Sequence, residues 1–140
     1  MYRRILVAIE NSEADRTIVA HVSQLATLTG AELLLVHVAD GWAARHFDEL
    51  KLRESEEMKA DRAYLEKLQN DLRAQGLRVE TELAMGDPTT ELVRSAEAHH
   101  ADLIAMATHG HRFLSDVVRG TTADRLRHLV KIPVLMLRAQ

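Results

Sequence analysis

Five short apolar runs alternate with segments of helical periodicity, and this alternation limits the chain to few folds. Four of the runs are nearly continuous, which is typical of strands covered on both faces in a parallel sheet. The third run alternates apolar and polar residues and therefore predicts a half-exposed edge strand. In chain order the runs are Ile5–Ile9, Leu33–Val38, Leu77–Ala84, Leu103–Met106 and Val134–Leu137.

Four helices are predicted between these runs. The first two rest on apolar residues at helical spacing, each followed by a glycine that suits a helix C-terminus. Asp87 and Pro88 suit the N-cap and the first residue of a third helix, which should end near His99 and His100. A short fourth helix is expected from about Thr122 to His128. The first two helices are marked by Ile18, Val22 and Leu25 before Gly30, and by Leu65, Leu68 and Leu72 before Gly76.

Strands that alternate with helices predict an α/β fold with right-handed crossovers, in which one parallel sheet lies between helices on both faces. A length of 140 residues, without an internal repeat or a low-complexity linker, indicates one domain over residues 1–140. The segment Ala39–Arg53 has no clean period. Such a long connection is either a functional element or a surface excursion in which Trp42 and Phe47 pack locally.

Bulk composition excludes several classes of protein. The net charge of -3 gives no basic field that would attract nucleic acid or anionic lipid. Cysteine is absent, which excludes disulfides, thiolate metal sites and cysteine nucleophiles. Near the N-terminus only Ile5–Ile9 is continuously apolar, too short for a signal peptide or a membrane span. A cytoplasmic location is therefore expected.

Two loops are expected to share one crevice. In open parallel sheets, ligands bind beyond the carboxyl ends of the strands, where the strand order reverses. In an order 3-2-1-4-5, strands one and four are neighbours at that point, so Glu10–Ser12 and Met106–Thr122 would face the same crevice. Gly120 permits the close approach of a ligand. Thr121 and Thr122 either help to bind an anion at a helix start or simply cap the helix.

The second of these loops resembles the nucleotide-binding signature of the universal stress protein family. That signature is glycine, two residues, glycine, nine residues, glycine, and serine or threonine. Here it reads Ala107-Thr108-His109-Gly110, nine residues, then Gly120-Thr121. The resemblance covers the whole chain, because other segments match the family in the same order. They are Ile5–Ser12, Gly30–Val38, Gly86–Pro88, Ala101–Ile104 and Ile132–Leu135.

The resemblance implies a Rossmann-like, five-stranded parallel sheet in the order 3-2-1-4-5, of the adenine nucleotide alpha hydrolase-like type. It also implies a homodimer formed through the last strand, with Val134, Leu135, Met136 and Leu137. One branch of the family binds ATP or AMP, and another does not. Magnesium can accompany ATP by bridging its phosphates, so no metal site is expected in the protein itself.

The resemblance also assigns roles to individual residues. In the nucleotide-binding branch, the acidic residue after strand one contacts ribose or adenine, and this position is Glu10. Ala8 and Ser12, on either side of it, are assigned to the same nucleotide site. A residue at the end of strand two, here Val38, offers its backbone to adenine, and Met106 lines the pocket. The signature itself holds the phosphates. Its residues here are Ala107, His109, Gly110, Gly120 and Thr121, with Thr122 beside them.

Two departures from the family pattern bear on this assignment. Ala107 replaces the first motif glycine, and its Cβ is strained only if φ is positive. Glu10 replaces the usual aspartate with a longer side chain of the same charge. In addition, Asp116 in the nine-residue spacer would repel a triphosphate unless Arg112 and Arg119 compensate.

The favoured hypothesis is an adenine-nucleotide-binding stress-response or regulatory module with little or no turnover, because no catalytic base is identifiable. The chief alternative has the same fold and dimer but a site that Ala107 leaves empty or occluded, and it acts as an interaction or signalling protein. A third hypothesis is weak ATPase or autophosphorylation activity. The resemblance suggests Ser115, Thr121 and Thr122 as phosphate acceptors. A flavodoxin-like electron carrier is disfavoured, because no Ser/Thr/Gly-rich phosphate loop follows strand one.

Metal and hydrolase chemistry are disfavoured as well. His99 and His100 are adjacent and so lie on different sides of a helix, and His109-x-His111 has no obvious third ligand. Ser12 lacks a recognisable histidine–acid pairing, and the P-loop lysine is absent. His37 lies in a strand predicted to be buried, where we expect a hydrogen-bonded core histidine.

Overall fold

The computed structural model describes residues 1–40, 47–108 and 116–140. Strands and helices alternate along the chain. In order they are β1 (Arg4–Ile9), α1 (Ala14–Thr29), β2 (Glu32–Asp40), α2 (Phe47–Ala74), β3 (Val79–Gly86), α3 (Pro88–Ala98), β4 (Leu103–Thr108), α4 (Asp116–Leu129) and β5 (Val134–Arg138).

The five strands form one parallel sheet in the order β3-β2-β1-β4-β5, which confirms the predicted topology. In the register of the central strands, Ile9 of β1 lies opposite His37 of β2. On the other side of β1, Val7 lies opposite Ala105 of β4. The strand order therefore reverses between β1 and β4, as expected for a doubly wound sheet.

The core consists of two layers, one on each face of the sheet, because successive side chains of a strand point to opposite faces. Ile5, Val7 and Ile9 of β1 pack beneath α1 and α2. Leu6 packs on the other face, with residues of α3 and α4. β3 is an edge strand with mixed burial, which confirms its prediction from the alternating pattern.

Two helix ends follow the predicted capping chemistry. Gly30 ends α1 in the left-handed conformation (φ 76°), and its amide donates to the carbonyl of Ala26 at 2.8 Å. At the start of α3, the side chain of Asp87 accepts a hydrogen bond from the amide of Thr90 at 3.0 Å, ahead of Pro88. Hydrogen bonds from the amide and the hydroxyl of Thr90 hold the pKa of Asp87 below its ordinary value.

Two helices begin earlier than predicted. α2 starts at Phe47, inside the segment interpreted as irregular, because residues 47–53 contain good helix formers and neither glycine nor proline. Trp42, in the same segment, lies outside the described residues. α4 starts at Asp116, so the prediction of a helix beginning near Thr122 is wrong. Gly120 is therefore tolerated within the helix, at a cost of about 1 kcal/mol relative to alanine.

Candidate functional site

The carboxyl ends of β1, β2 and β4 bring several of the predicted site residues together. Ala8, Val38 and Met106 belong to one apolar cluster on the face covered by α3 and α4. β2 continues to Asp40, whereas its pairing with β1 ends at His37. β2 therefore projects beyond the end of β1 and leaves a step in the sheet. Doubly wound folds bind ligands in the crevice at this place.

The loop between β1 and α1 is held by a buried carboxylate that sequence reasoning missed. Asp15 is 2% exposed. Its two oxygens accept hydrogen bonds from the amides of Glu10 (2.9 Å), Asn11 (2.8 Å) and Ser12 (3.2 Å). Since these amides are taken by the protein's own carboxylate, the loop cannot cradle a phosphate as the corresponding loop of a flavodoxin-like carrier would.

Asp15 is fixed in turn by α2. The hydroxyl of Tyr64 donates to Asp15 Oδ2 at 2.8 Å. Burial and the hydrogen bond to Asp15 both raise the pKa of Tyr64, so this hydroxyl keeps its proton and remains a donor. A helix remote in sequence therefore supports the loop after β1.

Glu10, the predicted ribose-binding residue, has an oriented side chain. The hydroxyl of Ser12 donates to Glu10 Oε2 at 3.0 Å and accepts from the amide of Ala14 at 3.3 Å. An ionised carboxylate only accepts hydrogen bonds, so it is suited to the two hydroxyl groups of a ribose. Ser12 therefore positions Glu10 and also caps the loop.

A second polar contact joins the same loop to β2 and α2. Asn11 is left-handed (φ 62°), and its Nδ2 donates to Asp61 Oδ1 at 2.9 Å. The other oxygen of Asp61 lies 3.3 Å from His37 Nε2. His37 Nδ1 lies 2.8 Å from the carbonyl oxygen of Ile9. His37 is thus the hydrogen-bonded histidine that the sequence predicted.

Asp15 and Asp61 carry a recognisable signal in the sequence. Asp15 precedes Ile18 and Val22 at helical spacing, so it lies on the apolar face of α1. Asp61 precedes Leu65 in the same way on α2. A carboxylate on the apolar side of a helix indicates a buried, hydrogen-bonded group, although the pattern does not reveal its partner.

Ala107, the replaced motif glycine, lies inside β4 opposite Leu137 of β5. Among the described residues other than glycine, only Asn11 and His100 have a positive φ. The methyl group of Ala107 is therefore not strained. It is buried on the face covered by α1 and α2, whereas Met106 packs on the opposite face.

The phosphate-binding part of the signature is described only in part. His109 and Gly110, together with Ser115, lie outside the described residues. Gly120 and Thr121 lie within α4 and not before it. At that depth in an α-helix, backbone amides donate to carbonyls of the preceding turn. The amides of the first helical turn belong to residues 116–119 instead.

The end of the sheet at which the parallel strands begin, here called the amino edge, carries a different group of charged residues. They surround an open cleft of about 590 Å³. Arg4 and Arg78 both donate to Glu32, at 2.7 and 2.9 Å. Arg4 also donates to the carbonyl of His99, and Arg78 to that of Gly30. These carbonyls lie at helix C-termini, where cations are stabilising. The arginines are thus engaged in holding strands and helix ends together.

Neither a metal site nor a membrane span is found in the described parts of the chain. Residues 1–40, 47–108 and 116–140 contain no cluster of three or more histidine, aspartate or glutamate side chains arranged to hold a metal ion. The helices within those ranges are not long and apolar enough to cross a bilayer.

Comparison with solved structures gives the same fold over the full chain. The structure of protein MJ0577 matches with a TM-score of 0.83 at 26% identity, covering 100% of this chain and 98% of that one. A universal stress protein in complex with cAMP gives 0.72 at 19% identity, with 99% and 98% covered. One from Archaeoglobus fulgidus, in complex with dAMP, gives 0.67 at 21% identity, with 96% and 97% covered.

Sequence comparison identifies the family. Universal stress protein MJ0577 of Methanocaldococcus jannaschii is 27% identical over 158 residues, with 99% of this chain and 96% of that protein covered. The sequence model of the universal stress protein family matches residues 1–138. Together with the sheet order and the step above the end of β1, these matches show that the chain belongs to the universal stress protein family.

Proposed function

We propose that this protein binds an adenine nucleotide, ATP or AMP, and acts as a regulatory module with little or no turnover. The nucleotide site lies at the carboxyl ends of β1, β2 and β4, here called the carboxyl edge of the sheet. One observation carries the proposal: Glu10, oriented by Ser12, follows β1 at the point where the strand order reverses. The cAMP and dAMP complexes of two similar proteins support an adenine nucleotide as the ligand.

The step in the sheet suits the nucleoside part of the ligand. Val38 lies on β2 beyond the last residue that pairs with β1, so the side of its backbone that faces β1 can hydrogen-bond to adenine. Ala8 and Met106 provide apolar surface against the base. Glu10 accepts hydrogen bonds from the ribose hydroxyls. Selectivity for a nucleoside is thus assigned to described residues of β1, β2 and β4.

The signature residues His109, Gly110, Gly120, Thr121 and Thr122, next to Ala107, are assigned to the phosphates. The amides of Gly120, Thr121 and Thr122 can reach a phosphate only if α4 begins later than Asp116 in the bound state. Gly120 makes such unwinding easier, because glycine weakens a helix by about 1 kcal/mol relative to alanine. A divalent cation would then be held by the phosphate oxygens.

The position of Gly120 inside α4 also favours the second candidate function, a dimeric interaction protein that binds no nucleotide. β5 is the edge strand through which the dimer is proposed. Its side chains are half-buried or exposed, and Met136 is 37% exposed. An uncovered edge strand is a ready template for pairing with a second chain. Sedimentation of the protein tests the dimer separately from the ligand.

Calorimetry with ATP, AMP and cyclic AMP tests the proposed function. We expect saturable binding of at least one of them, at one site per chain. Gly120→Val should abolish this binding and leave the far-ultraviolet spectrum unchanged. Ala20→Val, which places the same side chain on the exposed face of α1, is the matched control and should bind normally. Absence of binding by the unaltered protein at millimolar nucleotide would refute the proposal, and phosphate release far above background would indicate an enzyme.

A further inference from the structure

The hydroxyl of Thr89 is buried and has no hydrogen-bond partner. Among the residues that the structure describes, its Oγ1 is the only buried side-chain oxygen or nitrogen in this condition. Thr89 is 1% exposed, whereas the hydroxyl of the next residue, Thr90, donates to Asp87 Oδ2 at 2.8 Å. A buried hydroxyl without a partner is costly, and native proteins retain few of them. Packing alone therefore does not account for a threonine at this position.

Thr89 lies in the first turn of α3, at the carboxyl edge of the sheet. β3 ends at Gly86, which lies opposite Asp40 of β2, and α3 begins two residues later at Pro88. Because β3 and β4 are parallel, the helix that connects them runs back over the sheet, antiparallel to the strands. The first turn of α3 is therefore level with the carboxyl end of β2.

The side chain of Thr89 belongs to the face of α3 that packs on the sheet. Thr89, Leu92 and Ala96 are buried and stand at helical spacing on one side of the helix. Leu92 and Ala96 pack in the same cluster as Val36, and Val38 packs against that cluster. Thr89 extends this row toward Val38, which lies beyond the last residue of β2 that pairs with β1. The hydroxyl thus belongs to the wall of the step in the sheet.

The surroundings of Thr89 favour a neutral polar partner over a phosphate. Asp87 caps α3 and is ionised at neutral pH, because its pKa lies below its ordinary value. Its charge is opposed by Arg125, at 3.8 Å, so no excess of positive charge remains there for an anion. A threonine hydroxyl both donates and accepts and turns to suit its partner. The ring nitrogens and the amino group of adenine offer both kinds of partner.

We propose that the hydroxyl of Thr89 hydrogen-bonds to the base of the bound nucleotide, next to the backbone of Val38. The proposal rests on the proposed function, because it requires a nucleotide at the carboxyl edge. Binding supplies the partner that the hydroxyl lacks in the ligand-free protein. The same hydroxyl therefore weakens the ligand-free fold and strengthens the complex.

Side-chain movements are sufficient to bring a base to this hydroxyl. Ala8 and Val38 are half-buried, so the apolar cluster is open to solvent at the step. Met106 packs in the same cluster, and an unbranched methionine side chain adapts readily to a ligand. A base seated on this surface reaches Thr89 without a change in the backbone of α3.

Thr89→Val separates this role from a structural one, because valine keeps the shape of threonine and removes only the hydroxyl. The melting temperature of the ligand-free protein should rise by about 3 °C, since an unpaired polar group is replaced by an apolar one. Thr90→Val is the matched control. It removes a hydroxyl that is bonded to Asp87, so its melting temperature should not rise. An unchanged or lower melting temperature of Thr89→Val would show that the hydroxyl is paired without ligand, for instance by a buried water molecule, and overturns the proposal.

The second readout is the affinity for ATP and AMP, measured by calorimetry. Thr89→Val should weaken binding about tenfold, because a polar atom of the base loses its partner. Thr89→Ser keeps the hydroxyl and should bind within about threefold of the unaltered protein, as should Thr90→Val. A residue with only a structural role would not combine higher stability with lower affinity.

The two possible failures are distinguishable. If Thr89→Val binds the nucleotide as tightly as the unaltered protein does, the hydroxyl does not contact the base, and the assignment of Thr89 is wrong while the proposed function stands. If the unaltered protein binds neither ATP nor AMP, the proposed function is wrong, and the role of Thr89 falls with it.

Discussion

The amino edge and the carboxyl edge of the sheet are both rich in charged residues, but these residues contact different parts of the fold. At the amino edge, Arg4 and Arg78 meet on Glu32 and donate to carbonyls at helix C-termini. At the carboxyl edge, Asp15 collects the backbone amides of a loop, and Asp61 holds a side chain of the same loop. The first arrangement fastens regular elements to one another, and the second fixes the shape of a loop.

This difference separates a structural charge cluster from a candidate site. A cluster that pairs strands with helix ends contributes to stability, because its charged groups are engaged within the protein. A cluster that fixes a loop with a left-handed Asn11 maintains an unfavourable backbone conformation next to Glu10. Substitutions at the amino edge should therefore change stability alone, whereas some at the carboxyl edge should change affinity with little change in stability.

The largest expected effect is the loss of stability from Asp15→Ala. This substitution leaves three backbone amides and the hydroxyl of Tyr64 without their acceptor in a buried place. We expect the free energy of unfolding to fall by at least about 3 kcal/mol, measured by urea denaturation. Glu13→Ala is the control, because Glu13 is an exposed partner of Arg16 and should cost less than about 1 kcal/mol. Equal losses would show that Asp15 does not hold the loop.

The next effect concerns affinity. Glu10→Ala should weaken AMP binding by about tenfold or more, because charge-assisted hydrogen bonds to the ribose are lost. The free energy of unfolding should fall by only about 1 kcal/mol, since the amide of Glu10 keeps its bond to Asp15 and the carboxylate gives up the exposed hydrogen bond from Ser12. Glu32→Gln at the amino edge provides the comparison. If Glu32→Gln weakens AMP binding as much as Glu10→Ala does, the distinction between the edges fails.

The elements of the fold and part of the candidate site can be predicted from the sequence alone. Local periodicity and capping residues such as Gly30 and Asp87 predict the elements, and the pattern of strands and helices predicts a parallel sheet. The order of its strands is implied by the family resemblance. Glu10 and Ser12 are predicted because they follow the end of the first strand, and His37 is predicted to be hydrogen-bonded because it lies within a buried strand. Asp61 was not identified as a partner of Asn11, because a contact across fifty residues depends on packing and leaves no local pattern.

The prediction of where α4 begins is wrong for a related reason. A glycine followed by two threonines is a common helix start, and this pattern predicts a helix from about Thr122. In the structure the helix already begins at Asp116, where an acidic residue suits the helix dipole. Helix propagation then carries it through Gly120, because adding a residue to an existing helix is easier than nucleating one.

A smaller effect is expected in the pH dependence of the amino edge. The hydrogen bond from Arg4, opposed by burial, holds the pKa of Glu32 below its ordinary value of 4.5. A carboxyl group with a lowered pKa stabilises the folded state above its ordinary pKa, and this contribution is lost as the pH falls through the folded-state pKa. Glu32→Gln should cost no more than about 1 kcal/mol near neutral pH, and its difference from the unaltered protein should shrink at acidic pH. Urea midpoints at both values measure this, and a difference that grows on acidification would contradict it.

The smallest expected effect is that of restoring the motif glycine with Ala107→Gly. The methyl group is buried on the α1 face without backbone strain, so its removal should cost about 1 kcal/mol of stability. Affinity for AMP should change by less than about threefold, which corresponds to well under 1.4 kcal/mol. A gain of tenfold or more in calorimetry would show that this methyl group obstructs the ligand.

The most direct test of the central claim is to locate the nucleotide by titrating isotopically labelled protein with AMP and following its backbone amide resonances. The largest shifts should fall at Glu10–Ser12, at Val38 and at Met106–Thr108. Resonances at the amino edge, such as those of Glu32 and His100, should not move. Shifts concentrated at the amino edge, or none at millimolar AMP, would contradict the assignment of the carboxyl edge as the nucleotide site.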